Sequence, residues 1–292
     1  KFGFNISNRQ GRALKDLLAK NQRVVLDGKI EGRGLEPWRM DVIVALISGI
    51  EDSGQELVFT AHLDHPKESA NDNASGSAAL LDMARTLNEL INLGKLPRPK
   101  RTIRFLWVPE LYGTMAYLDA HPELKGPRLG GKVLANLNLD MVGQNLDLLQ
   151  TKMNITWTPP TISSVFADLT SLVADRVDTQ GIANSGGSSS NFNYRITPFS
   201  GGSDHIVFND GSVSVPAMMI GHWPDYTNQT TEDTPDKVDA LELKRAELIA
   251  TSVFWTLATL TADQSLDLTN LVAANAQARL IQDTRKAVSW IL

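Results

Sequence analysis

The sequence predicts an α/β fold, a three-layer sandwich with a central mixed, mostly parallel sheet flanked by helices. Three observations carry that expectation. Short continuous apolar runs recur at 41–48, 57–64, 102–109, 133–141 and 215–221, which suits central strands covered on both faces. Segments with helical periodicity alternate with them. The 292 residues, 42% hydrophobic and 21% charged, are enough for a sizeable core.

In chain order, residues 9–18 read as a short helix and 23–31 as strand-like, before Gly32, Gly34 and Pro37 interrupt the pattern. The chain is therefore divided into a leading segment, 1–36, and a main domain, 37–292. Between the second and third strands, residues 77–91 form an amphipathic helix with Leu80, Met83, Leu87, Leu90 and Ile91 on one stripe. A later helix opens at Asp239 and runs to about residue 260, with Asp239 and Glu242 at capping-box spacing. The stretch 144–200 breaks the rhythm with Pro159-Pro160 and a Ser/Gly run at 185–190. It reads as an insertion or lid beside the site, with the run as a mobile loop.

Composition excludes several classes. A net charge of −5 with dispersed Lys and Arg offers no phosphate-backbone footprint, so nucleic acid is not an expected partner. No apolar run approaches the roughly 20 residues of a membrane-spanning helix. Because Lys1 rather than Met stands first, a processed or trimmed form is expected. The absence of cysteine removes disulfides, thiolate ligands and a cysteine nucleophile.

The chemistry lies at the strand ends. The second strand finishes in His62-Leu63-Asp64, the third in Glu110, the fourth in Asp140 and the fifth in His222. Open α/β sheets bind ligands at the carboxyl ends of their strands, so these ends can share one crevice. Asp72, in the polar loop 71–76 that leads into the 77–91 helix, can face the same place. Imidazole with several carboxylates is a suitable donor set for Zn²⁺. Residues two apart share a strand face, so Asp64 is positioned to accept the free ring N–H of His62 or otherwise support it.

Each residue also has an ordinary reading. His62 alone is a surface or core histidine, Asp72 a cap or turn residue, and Glu110 an exposed loop carboxylate. Asp140, inside an apolar run, is costly unless paired or metal-bound. No Gly-x-Ser-x-Gly elbow, P-loop or His-Glu-x-x-His helix is present. The loop Gly201-Gly202-Ser203-Asp204-His205 reads equally as a polar turn or as a substrate-binding loop.

Taken together, the stretches VFTAHLDH (58–65), NDNASGSAALLDMAR (71–85), RTIRFLWVPELYGTMAYL (101–118), NLDMVG (138–143), GGSDHIVF (201–208) and EDTPDKVD (232–239) resemble the co-catalytic zinc aminopeptidases, whose relatives include glutamate carboxypeptidases and glutaminyl cyclases. Residues 2–32 resemble, more weakly, the tail of a protease-associated domain. The resemblance implies that His62, Asp72 and Asp140 bind one metal, with Asp72 bridging towards a second. It also implies a glutamate general base. The family pattern has Glu-Glu, base then ligand, where this chain has Glu110-Leu111; an ungapped alignment makes Glu110 the base, and a gapped one makes it the ligand. The pattern's last ligand, a histidine four residues before the Asp of Asp233-Thr234, is replaced by Gln229, and His222 lies seven residues away from that position.

These matches imply a zinc-dependent aminopeptidase that hydrolyses the N-terminal amide of a peptide or small amide. One tight zinc is expected, with a second site weak or absent, since an amide is a poor substitute for imidazole. Asp204, His205 and the 185–200 loop would line the substrate side, and His205, His222 and Gln229 are candidates for a second metal. The alternatives are glutaminyl cyclisation on the same fold and a non-catalytic homologue that binds peptides or glycans. An extracytoplasmic location, periplasmic or secreted, is a family expectation.

Overall fold

The structure, a computed structural model, describes residues 6–29, 32, 39–51, 54–162, 164–183 and 190–291. The chain forms two compact units, Lys1–Arg39 and Met40–Leu292. In the first, helix α1 (Asn8–Ala19) starts at a complete capping box, Ser7 with Gln10. The strand expected at 23–31 does not form over 23–29, while Ile30 and Glu31 lie outside the described residues. Val25 and Leu26 are exposed. An extended segment becomes a strand only when a neighbour takes its backbone groups, and no strand pairs with 23–29 among the described residues.

The second unit is built on a seven-stranded mixed sheet in the order β1-β3-β2-β4-β7-β5-β6. Its strands are β1 (Ile43–Ile47), β2 (Glu56–His62), β3 (Thr102–Val108), β4 (Val133–Leu139), β5 (Met153–Thr156), β6 (Tyr194–Thr197) and β7 (Ala217–His222). The block β3-β2-β4-β7 is parallel, β1 and β5 run antiparallel to their neighbours β3 and β7, and β6 is parallel to β5. All five expected strands form. The central strands are buried on both faces, and β2 shows why its run is continuously apolar. Leu57, Phe59 and Ala61 face one core with α2 (Gly76–Asn92), α5 (Val165–Thr179) and α7 (Ala240–Thr259), whereas Val58 faces another with α3 (Tyr112–Ala120) and α6 (His205–Asn209). Helix α2 buries Leu80, Met83 and Leu87 as its stripe requires.

Three expectations change. The stretch 144–200, read as an insertion or lid, places β5, α5 and β6 in the sheet and its main core; residues 184–189, the body of the supposed mobile loop, lie outside the described residues. At the start of α7, Asp239 caps Leu241 N–H at 2.8 Å, but Glu242 does not complete a capping box. Glu242 is buried and accepts instead from Arg245, with His222 Nε2 at 3.3 Å. A buried carboxylate gains more from a cation than from an N–H that water can reach. Helix α8 (Ser265–Ile291) was not anticipated. None of its residues is buried, and Arg279 ties it to Asp168 of α5.

Candidate metal centre and active site

His62 ends β2, Asp140 follows β4 directly, and Glu110 lies two residues beyond β3. One ligand atom from each of these three lies within 4.8 Å of the others. Asp72 joins them through the irregular turn Ala70–Ser75 ahead of α2, and its Oδ1 is 3.1 Å from His62 Nε2. Asp140 Oδ1 is 3.5 Å from the same nitrogen and is buried without a hydrogen bond.

Remote polar groups hold each element. His62 Nδ1 donates to the Asp64 carbonyl at 3.0 Å, and a carbonyl can only accept, so Nε2 is left facing the carboxylates. The Asp233 carboxylate accepts from Asn71 N–H (2.7 Å), Asp72 N–H (2.9 Å) and Ser69 Oγ (2.5 Å), clamping the turn that carries Asp72. Asn71 Nδ2 donates in turn to Asp225. Asn73 Oδ1 accepts from Met141 N–H, and Asn73 Nδ2 donates to the Leu139 carbonyl, joining the turn to the end of β4. Ser77 Oγ donates to the His62 carbonyl.

The Asp64 carboxylate is 3.7 Å from His62 Nδ1, and it accepts instead from Glu110 N–H at 2.7 Å. Asp64 thus supports His62 through its carbonyl and Glu110 through its side chain. Asp204, preceding α6, accepts from Leu111 N–H (2.8 Å) and Thr114 Oγ1 (2.6 Å); its other oxygen is buried and unpaired.

The electrostatics are those of crowded acids around one imidazole. Burial opposes charge on His62, but the Asp140 and Asp72 carboxylates facing its ring outweigh that and raise its pKa to about 11. Glu110 is pushed up to about 7, first by burial and then by Asp140, Asp204 and Asp72, with His62 opposing. Asp204 is raised to about 6, mainly by burial, against the bonds from Thr114 and Leu111. Zinc binding at His62 Nε2 would be coupled to release of a proton from that ring.

The donor set fits zinc. One imidazole and several carboxylate oxygens are its usual ligands, and bonds of about 2.0–2.1 Å in tetrahedral geometry put donors roughly 3.3 Å apart. The separations of 3.1 and 3.5 Å around His62 Nε2 lie on either side of that spacing.

The sequence model of peptidase family M28 matches residues 42–254, most of the chain. The chain belongs to peptidase family M28. No curated protein matches it in sequence. Among solved structures, a zinc aminopeptidase from Bacillus subtilis superposes with TM-score 0.57 at 21% identity, covering 75% of this chain and 50% of its own. An aminopeptidase from Aneurinibacillus sp. strain AM-1 gives TM-score 0.58 at 20% identity, over 75% of this chain and 48% of its own. Glutaminyl cyclase from Macrostomum lignano gives 0.53 at 18%, over 75% and 71%. At these identities the likeness establishes the zinc-exopeptidase fold. The chain spans about half the length of the two aminopeptidases.

Within this M28 frame, not every expected residue reaches the site. His222 is buried with both ring nitrogens engaged, Nδ1 on the Met141 carbonyl at 2.8 Å and Nε2 by Glu242 at 3.3 Å. It packs against the Glu242–Arg245 ion pair and is not a spare ligand. Gln229 is exposed in a turn at φ 56°, and no hydrogen bond links it to the cluster among the described residues. His205 is buried with Nε2 on the Ser200 carbonyl at 2.8 Å, and burial first of all lowers its pKa. Leu111, the residue after Glu110, packs against the apolar core beside α3. Sequence reasoning missed Asp233 and Asp225 as organisers of the Asp72 turn. The Asp-Thr pair at 233–234 was the available signal for the first.

Proposed function

We propose that this chain is a zinc-dependent aminopeptidase, in which His62, Asp72 and Asp140 hold one tight metal and Glu110 is the general base. The observation that carries the reading is the meeting of His62, Asp72, Glu110 and Asp140 at the carboxyl ends of the parallel strands. When bound, zinc would supply Lewis-acid polarisation of the scissile carbonyl and acidify water. Glu110 would take the proton of the attacking water and deliver it to the leaving amine. Asp64 fixes the Glu110 backbone for that exchange, and Asp233 fixes Asp72. Asp204, beside the turn of Glu110, would line the substrate side. Residues 2–32 are read as the tail of a protease-associated segment, and an extracytoplasmic location follows from the same family reading. No helix among the described residues is long and apolar enough to cross a membrane.

The deciding assay follows release of N-terminal residues from short peptides, with and without chelator. Chelator-sensitive release that zinc restores supports the proposal. Conversion of an N-terminal glutamine peptide to its cyclised product without hydrolysis would replace it with the cyclase reading. Zinc-loaded protein that binds peptides without turning any over would leave a binding homologue.

A further inference from the structure

His65 repeats the arrangement of His62. Three residues further along, its Nδ1 lies 2.8 Å from the carbonyl of Lys67, again two residues on, as His62 Nδ1 lies 3.0 Å from that of Asp64. The Lys67 N–H is also near this nitrogen, at the longer distance of 3.4 Å. Nε2 is buried, has no hydrogen-bond partner among the described residues, and is 3.6 Å from Asp72 Oδ2.

Asp72 therefore lies between two imidazoles, with His62 Nε2 on Oδ1 at 3.1 Å and His65 Nε2 on Oδ2 at 3.6 Å. On the His65 side a buried ring nitrogen and a carboxylate oxygen face each other beyond hydrogen-bonding distance. A cation between them would give the unpartnered nitrogen a partner. Their distance apart is close to the roughly 3.3 Å separation of two ligands on one tetrahedral zinc.

We infer that His65 is the imidazole of a second cation position, bridged to the first through Asp72. It stands in for the histidine that Gln229 replaces in the family pattern. With Leu111 in the apolar core and Gln229 exposed, this position has two protein donors. It is therefore weaker than the site of His62, Asp72 and Asp140, and takes its remaining ligands from water or from the substrate's amine and carbonyl.

The inference rests on the reading of Asp72 as a metal ligand, and one titration separates the two. The whole chain, stripped of metal, is titrated with Zn²⁺ by calorimetry and with Co²⁺ by absorption. The unmodified protein should show one tight step and one weaker step. His65→Ala and His65→Gln should each weaken the second step by at least about tenfold while changing the first by less than about threefold. Melting of the metal-free variants checks that both fold. A second step that survives both substitutions overturns the assignment, as does parallel weakening of the first step. Absence of any second step in the unmodified protein up to about 1 mM metal also overturns it, making His65 only an ionic neighbour of Asp72. If His62→Ala leaves the tight step intact, it is the reading of the first site that fails.

Discussion

The two sides of the site are built differently. On one side, His62, Asp72 and Asp140 are buried, and each is fixed by the chain around it: the Asp64 carbonyl on the ring, the Asp233 carboxylate across the Asp72 turn, and Asn73 tying that turn to β4. On the other side Glu110 is half-buried at the start of a turn, Leu111 packs half-buried against the core, and Gln229 is exposed. A buried acid that loses its partners is costly, so the first side tolerates little change. An exposed turn carries no such penalty, and there the chain departs from its family pattern.

Breaking the buried side should have the largest effect. His62→Ala removes the imidazole that faces both Asp72 and Asp140, and metal affinity should fall by well over the roughly 100-fold that a supporting residue costs. Metal content after dialysis should drop to near zero, while circular dichroism of the metal-free protein stays native. Undiminished metal content would remove the metal reading altogether. Glu110→Gln tests the other side. Turnover should fall by about two to four orders of magnitude with metal content unchanged. Loss of metal in that variant would instead identify Glu110 as a ligand, as a gapped alignment of Glu110-Leu111 implies.

The same contrast governs what could be read from sequence. The central strands and α2 were legible because two-sided burial and a helical stripe leave periodic patterns over seven or more residues. β5 and β6 are four residues each and mix polar with apolar side chains, so they leave no comparable trace. α8 has no fully buried residue, and its half-buried stripe at Leu268, Leu271, Val272, Asn275, Ala276 and Arg279 mixes polar with apolar side chains, so the periodic trace is weak. Strand-end logic pointed to His62 and Asp140, and the polar loop before α2 to Asp72; the three lie together in the structure. His222 stands at a strand end too, but its ring turns to Glu242, a partner twenty residues later that strand position does not reveal. Which group of Asp64 supports His62 was likewise not legible. Residues two apart share a face, but the carbonyl of Asp64, not its carboxylate, is what meets His62.

The finest test sets Asp233 against Asp64, each a carboxylate that holds a backbone N–H next to the site. Asp233 accepts three hydrogen bonds over its two oxygens. Asn at this position must turn an NH₂ towards one set of donors, so Asp233→Asn should loosen the Asp72 turn and weaken zinc binding by about 10- to 100-fold. Asp64 accepts one such bond, from Glu110 N–H, and is itself half exposed. Asn still offers an oxygen there, so only the ionic part of the bond is lost, about 1 kcal/mol before screening. Turnover of Asp64→Asn should therefore fall by no more than about fivefold, with zinc affinity unchanged. The two variants should separate cleanly when metal affinity and turnover are measured on the same preparations, Asp233→Asn moving the first and Asp64→Asn the second. A zinc affinity that falls in Asp64→Asn by as much as in Asp233→Asn would mean that the carboxylate does reach the His62 ring in solution, and that the two sides of the site share a support.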